Sequence, residues 1–315
     1  MTGKDQNADS VYDMIVIGGG PAGYTAALYG VRAGLNTLVL EKLAAGGQMA
    51  WSHQIDNYPG FENGIDGFTL GEKMQKQAER FGVKTRYEEV LRLDLKSDPK
   101  IIETDKELFY SKTVIFATGA NPRELGIEKE EDFKGRGISY CAACDGMFYQ
   151  GKTVAVIGGG NSAAADALLL SRIARKVFLI HRRNSLRAEK ICQEALMRAK
   201  NIEFHRNCIV SELLCTDDRL TGLRLKDVRT GETSTLHCDG VFVSIGRKPA
   251  TDLVKSQLEL DSNGYVIADK TTKTNIPGVY AAGDVRTKFL RQVVTAVSDG
   301  AMAAHMAEEY LDRKR

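Results

Sequence analysis

Cys141-Ala142-Ala143-Cys144-Asp145 puts two thiols close enough to close a small disulfide ring or to open it as a dithiol. That change is worth two electrons, the number a nicotinamide or a flavin exchanges. A helix following the pair would lower a thiolate's pKa through the positive end of its dipole. Asp145 is a candidate to protonate the departing thiolate, and equally suits a helix cap or a turn. The other reading of a C-x-x-C is half a zinc site, which needs a second Cys or His pair at ligand spacing. The chain has no such pair, so no metal is predicted. Cys192, Cys208, Cys215 and Cys238 are isolated and read as packing residues. His53, His181, His205, His237 and His305 are scattered, and none is assigned to catalysis or metal.

A dithiol that cycles needs a two-electron donor, and two glycine-rich turns could hold one. Tyr12–Ile17 reads as a buried strand, Gly18-Gly19-Gly20-Pro21-Ala22-Gly23 as a tight turn, and Tyr24–Ala33 as a helix closed by Gly34. Thr37–Leu40 is the next strand, ending at Glu41, so G-x-G-x-x-G sits inside a complete βαβ unit. The pattern returns as strand Thr153–Ile157, turn Gly158-x-Gly160-x-x-Ala163, helix Ala164–Ser171 and strand Lys176–Ile180. First glycine to strand end is 23 residues in both, reaching Glu41 in one and His181 in the other. Two units in the same register imply two dinucleotide-binding domains.

The strand ends choose the nucleotides. A carboxylate at Glu41 accepts hydrogen bonds from both ribose hydroxyls, which suits FAD or NAD. His181-Arg182-Arg183, with Arg187 beyond, would instead grip a 2′-phosphate through charge-assisted contacts, which points to NADPH. Gly46-Gly47-Gln48 and Asp56-Asn57-Tyr58-Pro59-Gly60 are loops able to approach a flat ring, although each alone reads as an ordinary turn. Trp51, near them, reads as packing.

Thr113–Gly119 and Val241–Gly246 are apolar strands ending in glycine and look like domain crossings. The expected organisation is therefore residues 1–119 and 247–315 as one discontinuous domain, with 120–246 inserted. Val279-Tyr280-Ala281-Ala282-Gly283-Asp284 would deliver an Asp toward a flavin's ribityl and phosphate region, and Arg291–Leu311 reads as a closing helix. At 315 residues and net charge +2 the chain suits two domains and is too balanced for nucleic acid or a polybasic membrane anchor. Met1–Ser10 is polar, lacks a signal core and is expected to fray, which makes a cytoplasmic setting the expectation.

From Tyr12 to Leu311 the chain resembles the low-molecular-weight, bacterial-type thioredoxin reductases. The resemblance rests on the two glycine turns, Gly46-Gly47-Gln48, Ala117-Thr118-Gly119, Cys141–Gly146, His181–Ala188, and Gly283-Asp284 with Arg291-Gln292. It implies an α/β fold of two Rossmann-like domains, an NADPH domain inserted into a discontinuous FAD domain, and a homodimer reducing thioredoxin. Carried over by motif, Gly18, Gly20, Pro21, Ala22, Gly23, Glu41 and Lys42 would meet the ADP part of FAD. Gly47, Gln48, Asn57, Gly119, Gly283, Asp284, Arg291, Gln292 and Val293 would follow its flavin half. Gly158, Gly160, Asn161, Ser162, His181, Arg182, Arg183 and Arg187 would bind NADPH. Only the resemblance assigns Cys144 to the flavin and Cys141 to the protein substrate; it also makes Asp145 the proton donor. It also implies that dithiol and NADPH take turns at the flavin by rotation of the inserted domain about Gly119–Asn121 and Ser244–Arg247. Members commonly carry Thr at Ala143, and often acidic residues where this chain has Ala165 and Asp166. The rivals are an NADH-dependent flavoprotein of a peroxide-reducing system, an NADPH–ferredoxin reductase and a flavin-bearing redox sensor.

Overall fold

A computed structural model describes residues 11–52, 54–217 and 219–314. The N-terminal segment and His53 lie outside those residues. The first strand, β1 (Tyr12–Ile17), is apolar on both faces, as a central parallel strand must be when it is covered from both sides. The elements α1 (Pro21–Arg32), β2 (Thr37–Glu41), α2 (Gly67–Glu79), β3 (Lys84–Tyr87), β4 (Val90–Asp94), β5 (Lys100–Thr104) and β6 (Leu108–Phe116) follow. A short strand, β7 (Ala120–Pro122), then leads out.

The next stretch contains β8 (Ile138–Ser139), α3 (Ala142–Asp145), β9 (Thr153–Ile157), α4 (Asn161–Ser171), β10 (Lys176–His181), α5 (Lys190–Arg198) and β11 (Ile202–Arg206). It closes with β12 (Cys208–Thr216), β13 (Arg219–Asp227), β14 (Thr233–His237) and β15 (Gly240–Val243). Strand β16 (Arg247–Pro249) pairs with β7, and β17 (Val279–Ala281) and α6 (Val293–Asp312) complete the chain. Two compact units result: residues up to Asn121 with those from Lys248 onward, and Pro122–Arg247.

In the first unit the strands run β3-β2-β1-β6-β5-β4. The long β6 is shared: its first half pairs antiparallel with β5, its last residues parallel with β17. Alternation along β1 sends Met14 and Val16 toward α1 and α6, and Ile15 and Ile17 into a second core with Val254 and Leu258. The closing helix starts at Val293, two residues later than the sequence suggests, because Gln292 and Thr295 form a capping box.

In the second unit β11-β10-β9-β15-β8 form an all-parallel sheet, and β12-β13-β14 a separate antiparallel one. Val154, Val156, Val177 and Leu179 pack on α4. Ala155, Ile157, Phe178 and Ile180 pack with Leu223 and Leu236 of the antiparallel layer. In each unit a glycine turn leaves the central strand, β1 or β9, at its carboxyl end, with neighbours leading off in opposite directions. That is the switch point at which open α/β sheets bind ligands.

Candidate active site

Cys141 and Cys144 are joined as a disulfide, their Cα atoms 5.3 Å apart. Both are half-buried, between the buried Ala142 and the exposed Ala143. Ala143 thus faces away from the core. The helix expected after the pair is a single turn, α3, for which Cys141 is itself the N-cap; its sulfur accepts the Cys144 N–H at 3.2 Å. So short a helix carries little of the dipole that the sequence reading invoked. The Cys141 carbonyl accepts the Asp145 N–H at 3.1 Å. Ser139, buried at the end of β8, donates its hydroxyl to Asp145 Oδ2 at 2.6 Å and accepts the Cys141 N–H at 3.0 Å. Tyr149 lies in the next turn, its hydroxyl pushed up to about 12 by burial first and by the Asp145 charge second.

At the first glycine turn, Gly18 has φ +106°, and a Cβ on Gly23 would fall 1.8 Å from the Gly18 carbonyl oxygen. Only glycine lets α1 start this close to the strand. Helix α1 begins with Pro21 at its first position and with no side-chain cap, so Gly20 leaves its leading amides open to a ligand. Glu41 Oε2 accepts the Gly19 N–H at 2.6 Å and Oε1 the Leu43 N–H at 3.0 Å. Each oxygen keeps a second lone pair for a ribose hydroxyl. Gly46, ahead of Gly47, donates its N–H to Gly19 O at 2.8 Å. Lys42, placed with the cofactor by motif, pairs with Glu89 at 2.7 Å.

Residues far apart in sequence converge in the same unit. Asn57 Nδ2 donates to Gln292 Oε1 at 3.0 Å, and Gln48 Nε2 to Asn121 Oδ1 at 2.8 Å. Arg291 lies 4.0 Å over the Tyr265 ring and donates to the Asp284 and Arg286 carbonyls. Gly119 accepts the Ala250 N–H through its carbonyl. Trp51, expected to pack, is 62 % exposed, because the turn that carries it ends at the surface.

At the second turn, α4 likewise starts without a side-chain cap after Gly160, whose Cβ position has nothing within 4 Å. Asn161 Oδ1 accepts the Glu189 N–H at 2.8 Å, and Ser162 beside it is exposed. The Gly159 carbonyl accepts the Arg187 N–H at 2.6 Å, folding the loop after β10 onto the turn. His181 is buried with its ring against Gly159, where a Cβ would come within 2.3 Å. Burial pushes its pKa down, the Arg187, Arg183 and Arg182 charges push the same way, and a backbone bond at Ser185 opposes them. The three arginines are exposed, and among the described residues no carboxylate pairs with them. Asp166 is held by the Ser244 hydroxyl, and burial pushes its carboxyl up.

The family model described as pyridine nucleotide-disulphide oxidoreductase matches residues 12–300. A thioredoxin reductase of Treponema pallidum is 45% identical over 301 residues, which cover 96% of this chain and 97% of that protein. The chain belongs to the thioredoxin reductases. A second family member, from Peptoclostridium acidaminophilum, is 42% identical over 96% of this chain and 98% of its own. The crystal structure of thioredoxin reductase from Streptococcus pyogenes superposes with a TM-score of 0.91 at 41% identity, covering 98% of this chain and 100% of that one. That of Lactococcus lactis, described as an FR conformation, gives 0.68 at 41% identity over 96% and 99%.

Thioredoxin reductases use FAD and NADPH, and the two turns fit those groups: open helix N-termini for pyrophosphate, a positioned carboxylate in one, and in the other three guanidiniums that no carboxylate pairs with among the described residues. Two features of this family member are missed by its sequence. Ser139 is one. The other is Asp299, buried beneath the Gly283-Asp284 turn, where it accepts the Gly283 N–H and pairs with Arg286 and Lys288. The signal was an Asp within the apolar face of the closing helix.

Proposed function

We propose that the first unit is the FAD domain and the inserted unit the NADPH domain of this thioredoxin-disulfide reductase. On that reading a bound FAD would supply the two-electron relay between NADPH and the Cys141–Cys144 disulfide, and that cysteine pair reduces the disulfide of thioredoxin. The observation that carries it is the formed disulfide beside Asp145, in the same unit as the unpaired arginines. Glu41 orients the adenosine ribose, and the open amides of α1 hold the pyrophosphate. Gln48, Asn57, Asp284, Arg291 and Gln292 line the flavin half. Arg182, Arg183 and Arg187 select the 2′-phosphate. Cys144 receives the electrons, Asp145 supplies a proton to the sulfur pair, and Cys141 attacks the thioredoxin disulfide through a mixed disulfide.

Rotation about Gly119–Asn121 and Ser244–Arg247, a homodimer and a cytoplasmic setting belong to the same proposal. Supporting rotation, two relatives at equal identity superpose at 0.91 and 0.68, a spread that divergence does not explain. A catalytic rather than structural C-x-x-C fits a reducing compartment. Among the described residues no helix is long and apolar enough to cross a membrane.

Steady-state reduction of a bacterial thioredoxin by the purified holoenzyme tests the function. NADPH is expected to outperform NADH by roughly 100-fold, the worth of two charge-assisted contacts. Cys141→Ser is expected to abolish thioredoxin reduction with FAD still bound. Preference for NADH would overturn the arginine assignment, and an active Cys141→Ser enzyme would remove the dithiol from the path.

A further inference from the structure

The Ser139 hydroxyl spans the two groups that must act together in sulfur chemistry. Its oxygen takes the amide proton of Cys141, and its own proton goes to Asp145 Oδ2; the approach to the Cys141 carbonyl is longer, at 3.3 Å. Ser139 is 4 % exposed and sits on a strand, where Phe242 of β15 is its register partner. A hydroxyl fixed on a sheet and bonded to a charged acceptor is a rigid support for a side chain on a short turn.

We propose that Ser139 is a positioning residue for proton transfer to the redox sulfurs. The inference rests on the reading of Asp145 as proton donor. When two electrons break the Cys141–Cys144 bond, each sulfur gains a negative charge, and one proton from the Asp145 carboxyl neutralises one of them. Water re-protonates Asp145. When the remaining Cys141 thiolate attacks the thioredoxin disulfide, a Cys141–thioredoxin S–S bond forms, the thioredoxin S–S bond breaks and the leaving sulfur takes that proton. Cys144 then displaces Cys141 from the second thioredoxin sulfur, passing it its own proton and re-forming the Cys141–Cys144 bond. Both transfers need the carboxyl within reach of sulfur. Ser139 holds it there by tying Oδ2 to the backbone of Cys141, so carboxyl and first cysteine move as one body.

The test compares Ser139→Ala, Ser139→Thr, Asp145→Asn and the Ser139→Ala/Asp145→Asn double variant as FAD-loaded enzymes. Two rates are read: NADPH-driven reduction of thioredoxin, and NADPH-driven reduction of a one-electron dye that bypasses the dithiol. Ser139→Ala should slow thioredoxin reduction about tenfold, a part of the hundredfold or more that general acid catalysis contributes. Ser139→Thr, which restores a hydroxyl, should recover most of that rate. In the Asp145→Asn background, Ser139→Ala should add nothing, because the group it positions is gone. A purely structural role would slow dye reduction too and would multiply in full with Asp145→Asn. Wild-type rates in Ser139→Ala, or full multiplication, overturn the proposal while leaving Asp145 as donor. A fully active Asp145→Asn enzyme overturns the donor reading and this inference with it.

Discussion

Arg182, Arg183 and Arg187 follow His181, which ends its strand as Glu41 does in the other turn, and on the proposed reading that exchange of charge separates the two nucleotide sites. A guanidinium with no carboxylate partner gives up no ion pair when it meets a 2′-phosphate. Arg182→Ala/Arg183→Ala should therefore raise the KM for NADPH roughly 100-fold with little change in kcat, and leave the weak use of NADH untouched. His181 belongs to the same cluster but is buried, and Nε2 has no partner among the described residues. Its pKa is depressed in the fold, so the unfolded chain binds the proton first as pH drops. Stability tied to His181 is thus intact above its ordinary value of about 6.5 and is lost as pH falls through and below it. Thermal melting between about pH 7.5 and pH 5.5 should show a larger drop in Tm for the natural protein than for His181→Asn. Equal drops would mean the imidazole is not held neutral.

The βαβ units were legible because three signals coincide in each: an apolar strand, a glycine turn, and a second strand end after 23 residues. The turns differ in a way their shared spacing hides. Gly23 has no room for a methyl group, whereas the corresponding Ala163 already carries one, and Gly160 faces open space. Gly23→Ala should cost about 1–3 kcal/mol of stability and release FAD, read by melting and by loss of the visible spectrum. Gly160→Ala should melt like the natural protein, within about 0.5 kcal/mol, yet raise the KM for NADPH about tenfold by filling space at the helix start. A Gly160→Ala enzyme with unaltered KM would show that the phosphates lie elsewhere. Other elements were not legible. Strand β3 is Lys-Thr-Arg-Tyr with no buried side chain, and β12 breaks register near Val210 and again near Leu214, so neither shows a clean period of two. The Ser139–Asp145 bond and the Asp299 cluster were hidden for a different reason. Each joins side chains that only the finished fold brings together, and spacing alone does not report them.

The arrangement of the whole chain sets a problem that neither unit solves alone: Cys141–Cys144 and the arginine cluster share one unit, while Glu41, Asn57 and Asp284 belong to the other. If both redox partners serve one flavin, they do so in turn, by movement at the two crossing strands, β7 and β16, which pair with each other. A bifunctional cross-link between the units should stop thioredoxin turnover and leave the bound flavin's absorbance unchanged; undiminished turnover would count against alternation. The relay itself is tested most directly by adding NADPH anaerobically to the purified holoenzyme and following the flavin band. Uptake of two equivalents per chain, one for flavin and one for the Cys141–Cys144 disulfide, is the predicted result, and uptake of a single equivalent would contradict the account.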